Sequence, residues 1–408
     1  MPFLSRLRSI KKEYHTLFLI SVSGLLYTLG SGVVWFVLPI LAERLFKDLM
    51  IVGVLIAMPN IVSLFFDIPM GDFSDRVGRK KLFICGLIAL SLLGLALPSI
   101  TTLTRFIVFM AILGVADLSI ILPVRAYIMD IAPKESVSEF FGIFEAAIQI
   151  GFAVAPLVGG YLITEEFGIG ISSASVFLFL MVLATMLVLI PIKETVGGVK
   201  PAFVSVKDTI IKDRVFLKSL LDYKDLQYAG VAILLATFIT VFIDGIIWAF
   251  EPLYTTLGIG TAMVGLILSM FVVPYILFEV PAGFIADKFG KIKVFIAGLI
   301  IAGVFLVIFG STQEPKILLV SAFLATTGLA FARPAMDGFL TDISAKKGRG
   351  SIVGVWDTAE DAAYAVSPIA GGLIGQLYGI GTVFMLVGGL LLVAIPLLYW
   401  AIAKSKFD

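Results

Sequence analysis

With 408 residues, 60% of them hydrophobic and 14% charged, the chain is too apolar for a soluble globular domain, whose apolar share is about 45–50%. A formal charge of +1, with Lys and Arg dispersed over short turns rather than gathered on one face, excludes nucleic acid as a partner. One cysteine, Cys85, and one histidine, His15, exclude a disulfide framework and a Cys/His zinc centre, and no cofactor is implied.

Crossing a bilayer takes roughly 20 apolar residues per helix. Twelve segments meet that requirement: 17–42, 50–71, 82–100, 106–129, 140–164, 169–192, 228–250, 260–284, 294–311, 317–340, 351–376 and 380–403. The first follows a basic start with Arg6, Arg8, Lys11 and Lys12. Its apolar run exceeds the roughly 7–15 residues of a signal peptide, so it reads as an uncleaved helix. Small residues Gly24, Gly30 and Gly32 let neighbouring helices come close, Trp35 and Pro39 follow, and 17–42 holds no acid.

Between the second and third segments, 67–83 reads DIPMGDFSDRVGRKKLF, an apolar helix broken by a compact charged turn. A second copy, EVPAGFIADKFGKIKVF, spans 279–295, and Gly71 to Gly283 gives an offset of 283 − 71 = 212. The same offset carries Asp130 onto Asp342, Gly142 onto Gly354, Glu145 onto Asp357, Pro156 onto Pro368, and Gly159 and Gly160 onto Gly371 and Gly372. The chain is therefore a duplication. Its first helices align at 248 − 35 = 213, which sets Ser31 against Asp244.

Six segments fall in each half. The expected domains are 1–192 and 228–408, each a six-helix bundle, joined by a linker over 193–227. Within the linker, Ile210, Ile211, Leu217, Leu220 and Leu221 recur near helical spacing against Lys212, Asp213 and Lys218. An amphipathic helix on the membrane surface and a flexible charged tether both fit that composition. Positive residues stay cytoplasmic in short loops. With the N-terminus inside, the outer loops keep only Arg44, Lys47, Arg105 and Lys316 of the 30 Lys and Arg, while Arg125 and Arg333 lie within segments. That asymmetry places both termini in the cytoplasm of a multi-pass cell-membrane protein, expected to work as a monomer.

GDFSDRVGRKK resembles the signature loop of the major facilitator superfamily, Gly-x-Leu-Ala-Asp-Arg-x-Gly-Arg-Arg/Lys. Gly71, Asp75, Arg76, Gly78, Arg79 and Lys80 match, with Phe73 and Ser74 replacing Leu and Ala; the second copy keeps Gly283, Asp287, Gly290 and Lys291. Twelve spans and a six-plus-six repeat extend the resemblance over the whole chain. It implies an all-α membrane protein with two pseudosymmetric six-helix bundles. It also implies contacts between helix ends: Asp75 toward the start of the eleventh span, Arg79 with Asp130, Asp287 toward the start of the fifth, and Lys291 with Asp342. Ala155–Pro156 with Gly159–Gly160, and Ser367–Pro368 with Gly371–Gly372, look like the Gly-Pro-x-x-Gly-Gly element of antiporters in that superfamily, with Ala and Ser in place of the first Gly; plain helix packing around a proline fits them too.

A charge within the bilayer costs at least a few kcal/mol, so it faces a cavity, pairs, or changes protonation. Asp117 and Arg125 lie in the fourth span, Glu145 in the fifth, Asp244 in the seventh, Arg333 and Asp337 in the tenth, and Asp357, Glu360 and Asp361 in the eleventh. Asp67 and Glu279 stand just before the two signature loops. Asp117 and Asp244 have no basic residue one turn away, which suits them to carry a proton; Glu360, Asp361, Asp357 and Glu145 are further candidates. Arg125 plus 212 lands on Asp337, and two readings fit: an Arg125–Asp337 pair between the halves, or struts within each half, Arg125 with Glu145 and Arg333 with Asp357 or Asp361. Tyr27, Trp35, Tyr127, Trp248, Trp356 and Arg333 are candidates to line a substrate cavity.

No Walker-type glycine loop is present, so ATP-driven transport by this chain is not expected. The expectation is a proton-coupled secondary transporter of a small molecule, working by rocking of two bundles and resembling drug-proton exporters. A uniporter or proton symporter importing a metabolite, and a non-transporting sensor on the same scaffold, stay open as alternatives. An intramembrane enzyme does not fit, because no nucleophile with a neighbouring base stands out.

Overall fold

The computed structural model describes residues 2–133, 136–163, 170–196, 228–347 and 349–404. Its helices are α1 (Pro2–Phe46), α2 (Leu49–Val77), α3 (Arg79–Ala96), α4 (Leu103–Ile131), α5 (Val137–Leu162), α6 (Ile171–Leu189), α7 (Tyr228–Phe250), α8 (Thr261–Met270), α9 (Val273–Phe289), α10 (Lys291–Gly310), α11 (Pro315–Lys347), α12 (Arg349–Tyr378) and α13 (Ile380–Lys404). The expected linker helix lies outside the described residues.

The eighth span, expected as one helix, is broken between α8 and α9. Pro274 has no N–H to continue the ladder and its ring displaces the carbonyl a turn earlier, so Phe271 and Val272 form a turn instead. The first helix begins well before its apolar run, because nothing between Pro2 and Leu17 breaks a helix. Among the described residues, eleven helical stretches are long and apolar enough to cross a membrane. The expected eleventh span does form a helix, the 30-residue α12, although it is not among those eleven stretches.

Packing repeats across the halves. α1 lies against α5 and α6, as α7 lies against α12 and α13; α3 lies against α4 and α6, as α10 lies against α11 and α13. The halves meet along two seams, α2 against α12 and α8 against α5. A Cβ on Gly53 would meet the Pro368 carbonyl, and one on Gly265 would meet the Pro156 carbonyl, so both seams need glycine for backbone to touch backbone. At the ends opposite the chain termini, here the far side, the Leu49 N–H donates to Gln376 Oε1 at 2.8 Å and Thr261 Oγ1 donates to the Gly160 carbonyl at 3.0 Å. Inside the first half, Thr28 Oγ1 ties α1 to α5 through the Ile148 carbonyl at 3.1 Å.

The turns after α2 and α9 share one backbone shape. Gly78 has φ +111° and Gly290 has φ +99°, values that favour glycine, and 290 − 78 is again 212.

Candidate functional site

Midway along the helices each half holds one carboxylate met by a tyrosine. Tyr27 on α1 donates its hydroxyl to Asp117 on α4 at 2.8 Å, and Trp35, two turns along α1, lies near that carboxylate. Tyr275 on α9 donates to Asp244 on α7 at 3.2 Å. Both acids are half-buried and both tyrosines buried.

Their surroundings differ. Asp117 accepts from a tyrosine hydroxyl and has an indole nearby. Asp244 shares its neighbourhood with Arg333 of α11, whose guanidinium lies 5.8 Å from the Tyr275 ring centre, and with Glu360 and Tyr364 of α12. The second half therefore holds a mixed-charge cluster at mid-membrane level, whereas the first holds an acid without an arginine. Trp248, the repeat partner of Trp35, reaches the other half and packs edge-on against Phe152 of α5 at 5.7 Å.

Two more acids face each other across a seam. Asp67 on α2 lies near Asp361 on α12. The repeat-related Glu279 on α9 lies in the field of Glu145 on α5 and of Arg333. Arg125 pairs with Glu145 at 3.5 Å, both largely exposed, as in the strut reading. Arg333 sits with Asp244, Tyr275, Glu360 and Tyr364, a grouping that neither sequence reading contained. The side chains of Asp337, Asp342, Trp356 and Asp357 lie outside the described residues. Tyr127 donates to the Lys193 carbonyl at 2.6 Å, which places it at the terminal side rather than beside the two acids.

At the signature loop, Arg79 Nε reaches Asp130 Oδ2 at 3.0 Å, the expected partner, and its Nη2 reaches Asp75 at 3.2 Å. Arg76 pairs with Asp72 at 3.8 Å. Lys291 donates to the Gly338 carbonyl at 3.2 Å. Asp287 is exposed and makes no ion pair among the described residues.

Sequence reasoning missed Glu194. Its two carboxylate oxygens accept from the Lys80 and Lys81 N–H groups at 3.3 Å, capping α3 from the end of the sixth span, while Lys80 Nζ donates to the Ile192 carbonyl at 2.6 Å. The signal was available: the first turn of any helix leaves unpaired N–H groups, and Gly78 offers α3 no side-chain cap.

A family profile described as Major Facilitator Superfamily matches residues 20–229 and 233–407, so the chain belongs to that superfamily of membrane transporters. It is similar to Multidrug resistance protein 2 of Bacillus subtilis, 27% identical over 96% of this chain and 97% of the relative. It is also similar to the class E tetracycline resistance protein of Escherichia coli, 25% identical over 84% of this chain and 83% of the relative. Among solved structures, a bacterial homologue of the human lysosomal transporter Spinster superposes with a TM-score of 0.78 at 14% identity, covering 97% of this chain and 98% of that one. This likeness shows the fold: an all-α, multi-pass membrane protein with two pseudosymmetric six-helix bundles.

Proposed function

We propose that this transporter couples proton movement to export of small amphipathic or drug-like molecules by alternating access. The halves 1–192 and 228–408 are the rocking bodies, and 193–227 is the cytoplasmic tether. Both termini are cytoplasmic in this reading, and the far side faces outward in the cell membrane.

One observation carries it: each half holds a mid-membrane acid in hydrogen-bond contact with a buried tyrosine, Asp117 with Tyr27 and Asp244 with Tyr275. An acid kept at that depth is costly, and a tyrosine hydroxyl compensates it without neutralising its charge. Drug-resistance proteins among the relatives favour export as the direction.

Reconstituted vesicles test the proposal. With an imposed pH gradient and a panel of fluorescent cationic or amphipathic dyes, the native chain should accumulate or expel dye against its gradient. Asp244→Asn and Asp117→Asn should lose the gradient-driven component while retaining dye exchange. Unchanged gradient-driven transport in both variants would rule the coupling out.

A further inference from the structure

Glu251 is a buried acid that the site above does not use. It opens the short 3₁₀ turn Glu251–Leu257 after α7, is 0% exposed, and has no hydrogen-bond partner among the described residues on either carboxylate oxygen. Three residues on, the Tyr254 hydroxyl is equally unpartnered, its ring held by Phe309 of α10 and Phe384 of α13 at 5.1 and 5.8 Å. The turn packs against α1, α7 and α8, so Glu251 lies where the two halves close on the far side.

The internal repeat supplies a comparison. With the offset that aligns Trp35 with Trp248 and Pro39 with Pro252, Glu251 corresponds to Leu38, also 0% exposed. One packing position thus takes a leucine in the first half and a carboxyl group in the second. An ionised carboxylate without a partner costs several kcal/mol in such a place, so packing alone does not account for it.

Among the described residues, no cation offsets that cost. On α1, 35–42 has no ionisable residue, and Glu43 and Arg44 follow at its end. On α7 the nearest is Asp244, two turns back and already grouped with Arg333; α8 has none; on α10 and α13 the ionisable residues lie at the opposite ends. Tyr254 is the titratable group that shares the turn's interior with Glu251.

We infer that Glu251 is a further proton-binding site, on the far side, protonated while the turn is closed against α1 and ionised when the halves part there and water reaches it. Closure of the far side then carries a proton inward with it. The inference rests on alternating access but not on Asp117 or Asp244 being the carriers.

Distance measurement on the full chain tests it. In a Cys85→Ser background, spin labels at Thr101→Cys and Gln313→Cys, repeat-related exposed positions in far-side loops, report separation of the halves. Alkaline pH should shift the native acid toward longer distances, and Glu251→Asp should keep that response. Glu251→Gln should stay short at every pH, and Glu251→Leu, which installs the residue of the first half, should do so with raised thermal stability. A pH response unchanged in Glu251→Gln, or absent in the parent, would overturn the inference, as would a destabilised Glu251→Leu. If Glu251→Gln keeps its response while Asp244→Asn loses coupling, this inference fails and the transport proposal stands. If Glu251→Gln loses its response while both aspartate variants still couple, the reverse holds.

Discussion

Gly78 and Gly290, 212 residues apart, hold the same left-handed backbone at the turns that lead into α3 and α10. At Gly290 a Cβ would enter open space, whereas at Gly78 it would meet the Glu194 carboxylate at 2.6 Å.

Alanine at either glycine adds strain of about 1–2 kcal/mol. Gly78→Ala should lower thermal stability more than Gly290→Ala, because Glu194 must also move and give up its cap on α3. A double-mutant cycle with Glu194→Ala checks this: the Gly78 penalty should shrink toward that of Gly290, and an additive result would contradict it.

Arg79, whose side chain is 14% exposed, joins Asp75 to Asp130 with separate nitrogens. Lysine keeps the charge but not the planar fork. Arg79→Lys should therefore cost about 1–2 kcal/mol of stability and slow transport, with Asp130→Asn giving a similar loss, read from melting curves and vesicle rates.

The seam glycines predict a contrast within one helix. Gly53→Val should push α2 off the Pro368 carbonyl and Gly265→Val should push α8 off Pro156, each separating far-side labels. Gly71 has open space around its missing Cβ, so Gly71→Ala should change stability by no more than about 0.5 kcal/mol despite its place in the signature loop. Equal melting losses at Gly53 and Gly71 would contradict the packing described.

Removing one hydroxyl separates the two mid-membrane acids. Tyr27→Phe takes a hydrogen bond from Asp117, which has no arginine grouped with it, and should slow gradient-driven transport about tenfold. Tyr275→Phe leaves Asp244 with Arg333 and should slow it less. Initial rates under a fixed pH gradient make the comparison.

Much of the fold was legible because duplication writes each landmark twice. The signature loop and the Pro and Gly positions of α5 and α12 followed from residue type and spacing, and the Arg79–Asp130 contact from the family resemblance. The break before Pro274 was not anticipated, since an apolar run of sufficient length hides a missing N–H. At the site, Asp117 and Asp244 were legible as charges in apolar helices, but their tyrosine partners were not: Tyr27 stood only among possible cavity residues and Tyr275 was not singled out. Spacing along one helix says nothing of which neighbour faces it. Glu251 escaped notice for another reason, because beside a proline at a helix end it looks like ordinary loop polarity.

The crossed contacts Gly53–Pro368 and Gly265–Pro156 have the reciprocity of an isologous two-fold dimer, in which each partner gives the other what it receives. A half-length ancestor bearing one such glycine and one such proline would have found its complement in another copy of itself. Fusion of two copies then fixes the stoichiometry that free association had supplied, and lets the two surfaces diverge separately, as Leu38 and Glu251 have done.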